Sequence, residues 1–322
     1  MMSKKKITVI GGGTGLSVLL RGIKEHDVDL QAIVSVADDG GSSGFLREDL
    51  GMLPPGDIRS CLLALASEEE GMQELLAYRF SEGRLSGQSM GNLIIAALND
   101  IYGNLEDAID KVGDVLKVKG KVVPVTGEHM TLMAELENGC IVIGESAIPK
   151  VSIGENSPII DVFLDSNELI STKSARDAIM EADIVILGPG SLYTSIIPNL
   201  LVDGINACLH RSKAKKVYVV NVMTQPGETD HMNVSTHVKR IIHYTSNLPI
   251  DAIIVNNHRL THDELLRYTN DGAKQVLFTD DDERQMITDM GIQVIEDSII
   301  DIKMGYIRTD AQKVADIIMQ LM

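Results

Sequence analysis

The run Gly11-Gly12-Gly13-Thr14-Gly15 stands directly after a short β-branched stretch, Ile7-Thr8-Val9-Ile10, and Leu16-Ser17-Val18-Leu19-Leu20 continues as a helical pattern. A strand, a glycine turn and a helix N-terminus make an anion site. Unpaired backbone N–H groups and the positive end of the helix dipole converge there, and the missing side chains admit a phosphate. The dinucleotide fingerprint G-x-G-x-x-G is incomplete. Gly11-x-Gly13 fits, but Leu16 stands where the third glycine belongs, and the frame from Gly13 and Gly15 puts Val18 there. The pattern predicts a phosphate-binding loop that is not an ordinary dinucleotide loop. The structural alternative is a plain strand-to-helix turn, which needs one glycine rather than four.

A second loop, Gly188-Pro189-Gly190-Ser191, follows Asp183-Ile184-Val185-Ile186-Leu187 and leads into Leu192-Tyr193-Thr194-Ser195. Gly188 and Gly190 open the backbone. Ser191, Thr194 and Ser195, with Tyr193 among them, supply hydroxyl donors for phosphate or sugar oxygens. Serine and threonine also cap helices, so this loop alone admits a structural reading. Two such loops after buried parallel strands belong at one carboxyl edge, where α/β sheets bind ligands.

Asp38 and Asp39 lie roughly 20 residues beyond the first loop, where an acid meets a ribose hydroxyl in dinucleotide folds. A carboxylate there can instead hold Mg²⁺ beside a pyrophosphate. Asp39 and Asp57 are the candidate metal ligands. Ser42, within Gly40-Gly41-Ser42-Ser43-Gly44, adds a small donor on a loop expected to close over a nucleotide. Asn92 enters the apolar run 93–98, and Asn221 ends the apolar stretch 216–221. Their amides suit a base or sugar edge, although Asn92 is equally placed to cap a helix.

Other chemistries are disfavoured. His258 and His262 stand four apart without a third zinc ligand. There is no G-x-S-x-G elbow and no G-x-x-x-x-G-K-[ST] loop. With 29 basic and 46 acidic residues the net charge is −17, which opposes non-specific binding to nucleic acid or an anionic membrane. No apolar run reaches the ~20 residues needed to span a bilayer, and the basic residues 1–6 precede too short an apolar stretch for a signal peptide. Cys61, Cys140 and Cys208 are odd in number and scattered in apolar segments, as expected of packed thiols in a reducing cytoplasm.

The elements that must position these residues alternate. Strands are expected at 7–10, 31–36, 183–187, 216–221, 252–255 and 294–300, with helices at 200–209, 234–243, 263–268 and 311–322 between and after them. Residues 57–116 read as helical, with Asp57 capping 58–66 and further helices at 88–102 and 105–115. Glu68-Glu69-Glu70 reads as a solvated helix end. Residues 132–137 and 140–144 flank Asn138-Gly139, a hairpin signal, and 159–164 adds a strand. The fold class is α/β: a three-layer, mostly parallel Rossmann-like sheet in one domain over 1–322, with inserted helices and a small antiparallel β patch at about 40–180. A chain of this kind and size is commonly a symmetric homodimer.

The motifs now assembled carry a resemblance. Val9-Ile10-Gly11-Gly12-Gly13-Thr14-Gly15-Leu16-Ser17, Ala37-Asp38-Asp39-Gly40-Gly41-Ser42-Ser43-Gly44, Leu53-Pro54-Pro55-Gly56-Asp57-Ile58-Arg59, Gly91-Asn92-Leu93 and Gly188 through Ser195 resemble the bacterial gluconeogenesis factor family over nearly the whole chain. That family shares a superfamily with 2-phospho-L-lactate transferase. The resemblance implies a cytoplasmic protein with a Rossmann-like sheet that binds a nucleotide-sugar, a UDP-sugar in particular. It also implies a role in cell shape during growth on gluconeogenic carbon sources. The transferase branch carries Pro-Asp-x-Asp-Thr after the second-strand acid, and the matching Pro54-Pro55-Gly56-Asp57-Ile58 holds one of those two acids.

Three functions remain distinguishable by experiment. The first is a non-enzymatic regulator that binds a nucleotide-sugar and signals to a cell-wall synthesis protein. The second is a Mg²⁺-dependent transferase that moves a phospholactyl group to a deazaflavin precursor. The third, an NAD-dependent oxidoreductase, is weakened by the missing third glycine and by the lack of an evident His or Tyr partner.

Overall fold

Twelve strands are seen among the residues that the computed structural model describes, which are 4–67, 70–166, 168–269, 272–303 and 306–322. In chain order they are β1 (Lys5–Gly11), β2 (Val28–Val34), β3 (Lys121–Pro124), β4 (Leu132–Leu136), β5 (Ile141–Ile143) and β6 (Ile159–Leu164). Then come β7 (Ile184–Leu187), β8 (Lys215–Val219), β9 (Ala252–Asn256), β10 (Gln293–Asp297), β11 (Ile300–Lys303) and β12 (Tyr306–Thr309). Seven of them form one sheet in the order β3-β2-β1-β7-β8-β9-β10, every neighbouring pair parallel. Helices complete a three-layer α/β arrangement.

The central strands are largely apolar because both faces are covered. Ile7, Val9 and Ile10 of β1 and all four residues of β7 are fully buried. From β1 the chain winds one way to β2 and β3, and from β7 the other way to β8, β9 and β10. The switch between the two directions falls between β1 and β7, and a crevice opens there at the carboxyl ends. A second sheet, β5-β4-β6, is antiparallel and contains the expected hairpin. Gly139 takes the left-handed conformation at its turn (φ 81°), and the Cys140 N–H donates to Asn138 Oδ1. β11 and β12 form a separate antiparallel pair.

Several elements differ from the sequence reading. Residues 41–44 do not lie in an open loop, because Gly41–Leu50 is a helix that buries Ser42, Ser43, Gly44 and Leu46. Its glycine- and serine-rich start hid the helical pattern. Within 40–180, the short strand β3 joins the main sheet beside β2 through buried Val122 and Val123. Asp57 is not the cap of its helix, which runs Gly56–Leu65 with Pro55 at the cap. The helix expected at 200–209 is two, Ile197–Leu200 and Ile205–Arg211, parted at Gly204 (φ 89°). Helices Ile148–Glu155, Lys173–Glu181 and Asp281–Asp289 went unanticipated. Of the acidic run 68–70, residues 68 and 69 lie outside the described residues. Cys61 and Cys208 are buried and Cys140 half-buried, all as free thiols. Among the described residues no helix is long and apolar enough to cross a membrane.

The helix after the first loop, Gly13–Ile23, packs on the closing helix Ala311–Leu321. The approach is tight: a Cβ on Gly22 would stand 2.3 Å from the Ala311 carbonyl oxygen. Gly22→Val is therefore expected to destabilise the chain by about 1–3 kcal/mol through overpacking. Urea unfolding followed by circular dichroism measures this. A loss within a few tenths of a kcal/mol would mean that the two helices slide apart freely.

Candidate functional site

The two glycine loops leave neighbouring parallel strands and meet at the same edge of the sheet. Gly13 begins its helix with φ 63°, a conformation that side chains resist. Gly15 makes the meeting possible. A Cβ there would lie 2.6 Å from the Pro189 oxygen and 2.9 Å from the Gly190 nitrogen. Fully buried Asn199 fastens the pair, because its Nδ2 donates to the Gly11 carbonyl (3.0 Å) and to the Ser195 carbonyl (2.8 Å). The sequence reading missed Asn199. Its one signal was an amide inside the apolar run Ile197–Leu200.

Between the loops lies a cavity of about 330 Å³. Gly12, Gly13, Thr14 and Gly15 form one wall, and Gly190, Ser191 and Ser195 form the other. Asn221 and Gln225 lie beyond the second loop, and Arg308 and Thr309 of β12 close the far side. Among the described residues Arg308 is the one charged side chain on these walls, and it too was missed from sequence. Asn221 Oδ1 accepts from the Gly190 N–H (3.5 Å), its Nδ2 donates to Gln225 Oε1 (3.3 Å), and Gln225 Nε2 donates to Ser191 Oγ. Gly11 and Gly188 sit behind the walls, at the ends of β1 and β7. Tyr193 and Thr194 are off the walls. Tyr193 is fully buried, with the Arg240 guanidinium 6.0 Å from its ring centre. The Thr194 hydroxyl is spent on the Glu228 carboxylate at 3.2 and 3.3 Å.

All the remaining sequence candidates but Asp39 gather in a second cavity of about 350 Å³, which shares Thr14 with the first. Asp38, Ser42, Asp57 and Asn92 line it. Asp57 Oδ2 accepts from the Gly13 N–H at 2.7 Å, so the chain sets its own carboxylate at the first helix N-terminus. Asp38 Oδ1 accepts from the Gly40 N–H, and its other oxygen lies against Gly56. Asp39 turns elsewhere: Oδ1 accepts from the Ser146 N–H (2.9 Å) and Oδ2 faces Gly144. The carboxylate beside Asp57 is thus Asp38, rather than the Asp39 named from sequence. Ser89, not Asn92, caps the helix Met90–Tyr102. Buried Asn92 instead donates to Ser42 Oγ, and that hydroxyl donates to Gln88 Oε1. Among the described residues no three Asp, Glu, His or Cys side chains converge as a metal cage. Mg²⁺ needs fewer, since one or two carboxylates with phosphate oxygens and water suffice. Asp38 and Asp57 fit that mode alone.

Residues 7–300 match the family described as 2-phospho-L-lactate transferase CofD. The chain belongs to the CofD family. It is 50% identical over 318 residues to a protein named putative gluconeogenesis factor from Thermoanaerobacterium thermosulfurigenes, across 98% of this chain and 97% of that one. The gluconeogenesis factor of Bacillus subtilis strain 168 is 45% identical over 323 residues, across 100% of this chain and 99% of its own. A crystal structure of a UPF0052 family protein from Bacillus halodurans superposes with a TM-score of 0.93 at 41% identity, covering 98% of this chain and 99% of that one.

In this CofD-family chain each glycine loop has a resident carboxylate. Burial and the Asp38 charge push the Asp57 carboxyl up to about 6, against the pull of the Gly13 N–H and Arg59. Burial pushes Glu228 up to about 7, opposed by the Thr194 hydroxyl and by the Thr194 and Tyr193 N–H groups. Glu145 is pushed furthest, to about 8, by burial and then by Asp38, Asp57, Asp39 and Glu228. Glu145 and Glu228 were not singled out from sequence, because their solvent exclusion comes only with the assembled cleft. A carboxyl raised in the folded state keeps its proton longer there than in the unfolded chain. Its contribution to stability is therefore lost as pH rises from 4.5, the ordinary value, through about 8. Glu145→Gln is expected to stabilise the protein at pH 9, on the order of 2–4 kcal/mol, and to change little at pH 5. Melting temperatures at the two pH values check this, and an equal effect at both would show that Glu145 does not titrate in the fold.

Proposed function

We propose that this chain binds a nucleotide-sugar, a UDP-sugar in particular, in the cleft between its two glycine loops. It would act as a regulatory factor in gluconeogenic metabolism and cell shape. One observation carries the reading: a cavity bounded by two glycine loops whose one charged wall residue, among the described residues, is Arg308. A helix N-terminus at the first loop and a guanidinium suit a diphosphate, which would share or displace the bonds of the Gly13 and Gly190 N–H groups to Asp57 and Asn221. Ser191 and Ser195 would meet the second phosphate or the sugar, and Asn221 would orient the base or sugar. Asp38 lies nearby for a ribose hydroxyl or for Mg²⁺. Among the described residues these walls carry no carboxylate, imidazole, thiol or amine placed to move a proton. That favours recognition over catalysis by the chain's own groups. The names of the B. subtilis and T. thermosulfurigenes relatives suggest the metabolic setting.

A Mg²⁺-dependent transferase is the second reading, favoured by the approach of Asp38 and Asp57 beside the first loop. Those two carboxylates would hold the ion with phosphate oxygens, and a bound ion would neutralise charge building on the phosphoryl group. Incubation with a nucleotide donor, a deazaflavin acceptor and Mg²⁺ separates the readings, since turnover would overturn the regulator.

A thermal-shift panel of UDP-sugars, GDP and NAD is expected to give the largest rise with a UDP-sugar, following RT ln(1 + [L]/Kd). Gly13→Val is expected to abolish that rise while leaving a folded protein, because valine resists the φ of 63° and crowds the phosphate. A full shift in this variant would place the phosphates elsewhere.

The two hydroxyls of the second loop are expected to part company. Ser191→Ala should weaken UDP-sugar binding by about 0.5–1.5 kcal/mol. Thr194→Ala should instead lower the melting temperature at unchanged affinity, since its hydroxyl serves Glu228. Calorimetric titration and melting on the same two variants decide this.

A further inference from the structure

A third cavity, of about 270 Å³, adjoins the first, and Val18 and Arg308 line both. It lies between the helix Gly13–Ile23 and the start of the closing helix, where Arg21, Asp301, Asp310 and Gln312 complete its polar walls. Among the described residues two arginines stand against two aspartates there, so the walls are balanced in charge. Hydrogen-bonding capacity remains on both donors and acceptors. The guanidinium groups of Arg21 and Arg308 have no hydrogen bond or ion pair among the described residues. Asp310 Oδ1 accepts from the Gln312 and Lys313 N–H groups at 3.1 Å, which leaves Oδ2. Gln312 Nε2 donates to Asp316 Oδ1 at 3.1 Å, which leaves Oε1. Arg21, Arg308 and Gln312 are exposed and Asp310 is half-buried, so a ligand can reach all four.

The first cavity has a different character at its other end. Val222 and Met223 line it there beside Asn221 and Gln225, with no charged side chain among the described residues. Apolar side chains suit the flat face of a base. Asn221 Oδ1 receives only a long bond, 3.5 Å, from the Gly190 N–H, and can accept from a base N–H as well. In sheet order β8 is followed by β7 and then β1, so the two glycine loops stand between the Asn221 end and the helix that carries Arg21. A sugar suits the opposite end. Each of its hydroxyls both donates and accepts, which matches walls that offer both, and a neutral ring adds no charge to a balanced set.

We propose that the third cavity is a subsite for a neutral hexose, and that it fixes the direction of the ligand; this rests on the nucleotide-sugar reading. The base lies against Val222 and Met223, the diphosphate at the glycine loops and Arg308, and the hexose between Arg21 and Gln312. Arg308 borders both cavities and meets the phosphate nearer the sugar.

The test titrates the full chain with UDP, UDP-glucose and UDP-glucuronate by calorimetry. UDP-glucose is expected to bind at least fivefold more tightly than UDP, and UDP-glucuronate no more tightly than UDP-glucose. In Arg21→Ala and in Gln312→Ala, both at exposed positions, the ratio of UDP-glucose affinity to UDP affinity is expected to fall to about one. In Met223→Ala both affinities are expected to fall together, with the ratio kept. Circular dichroism establishes that each variant is folded. A ratio of one in the wild type, or a ratio kept in both Arg21→Ala and Gln312→Ala, would overturn the subsite while leaving nucleotide binding in the first cavity intact. Tighter binding of UDP-glucuronate than of UDP-glucose would overturn the neutral class. Absence of binding by all three compounds would overturn the nucleotide-sugar reading and the subsite with it.

Discussion

The close approach of two backbones, Gly15 against Pro189 and Gly190, is the constraint on which the cleft depends. It requires β1 and β7 to be neighbours in register, so that both loops emerge at one level. It requires a residue without Cβ at position 15. It also requires Asn199, whose single amide satisfies a carbonyl from each loop in a place where water has been excluded. The Gly11 carbonyl also accepts from the Ser35 N–H, so what the amide adds is the fixed geometry of the two loops. Everything described at the site hangs on that juncture. The first cavity is the gap between the loops, and the second opens on the other side of Thr14.

The juncture also gathers negative charge. Asp57 and Glu228 occupy helix N-termini from inside the chain, and the charges of both add to the burial that raises Glu145. A helix N-terminus attracts anions whatever their origin. The positive ends that suit a phosphate are in this respect already answered, and the three raised carboxyl groups record the crowding. An incoming phosphate has either to share the N–H groups with these carboxylates or to come with cations or protons. Arg308 meets that need from the chain's side.

Much of this was legible in the sequence, for physical reasons. Buried parallel strands are continuous apolar runs, so 7–10 and 183–187 announced themselves, and a glycine loop after each marked the edge where ligands bind. The loops do stand together. What stayed hidden falls into two kinds. Local patterns misled where composition and conformation part: Gly41–Leu50 starts with the residues of a loop, and β3 is too short to show a period. Long-range placement was invisible in principle. No spacing rule carries Arg308 from a short hairpin strand to the first loop, or turns Asp39 toward Ser146 while Asp38 remains beside Asp57. Thr194 looked like a phosphate ligand because its type and position were right, and only the arrival of Glu228 assigned its hydroxyl elsewhere.

β12 gives the cleft one further property. Gly12 to Gly15 and Arg308 face each other across a single cavity, yet almost the whole described chain lies between them in sequence. The contact of Gly22 with Ala311 ties the same distant segments on the helix layer. Closing so long a loop is entropically costly and comes late, after the local elements have formed. A chain folded up to β10 would already have both glycine loops but only an open groove between them. The ability to hold a ligand would thus arrive with the last step of folding. Occupancy would then act as a clasp, raising protection against hydrogen exchange in β12 and in the closing helix, far along the sequence from the glycine loop on the opposite wall.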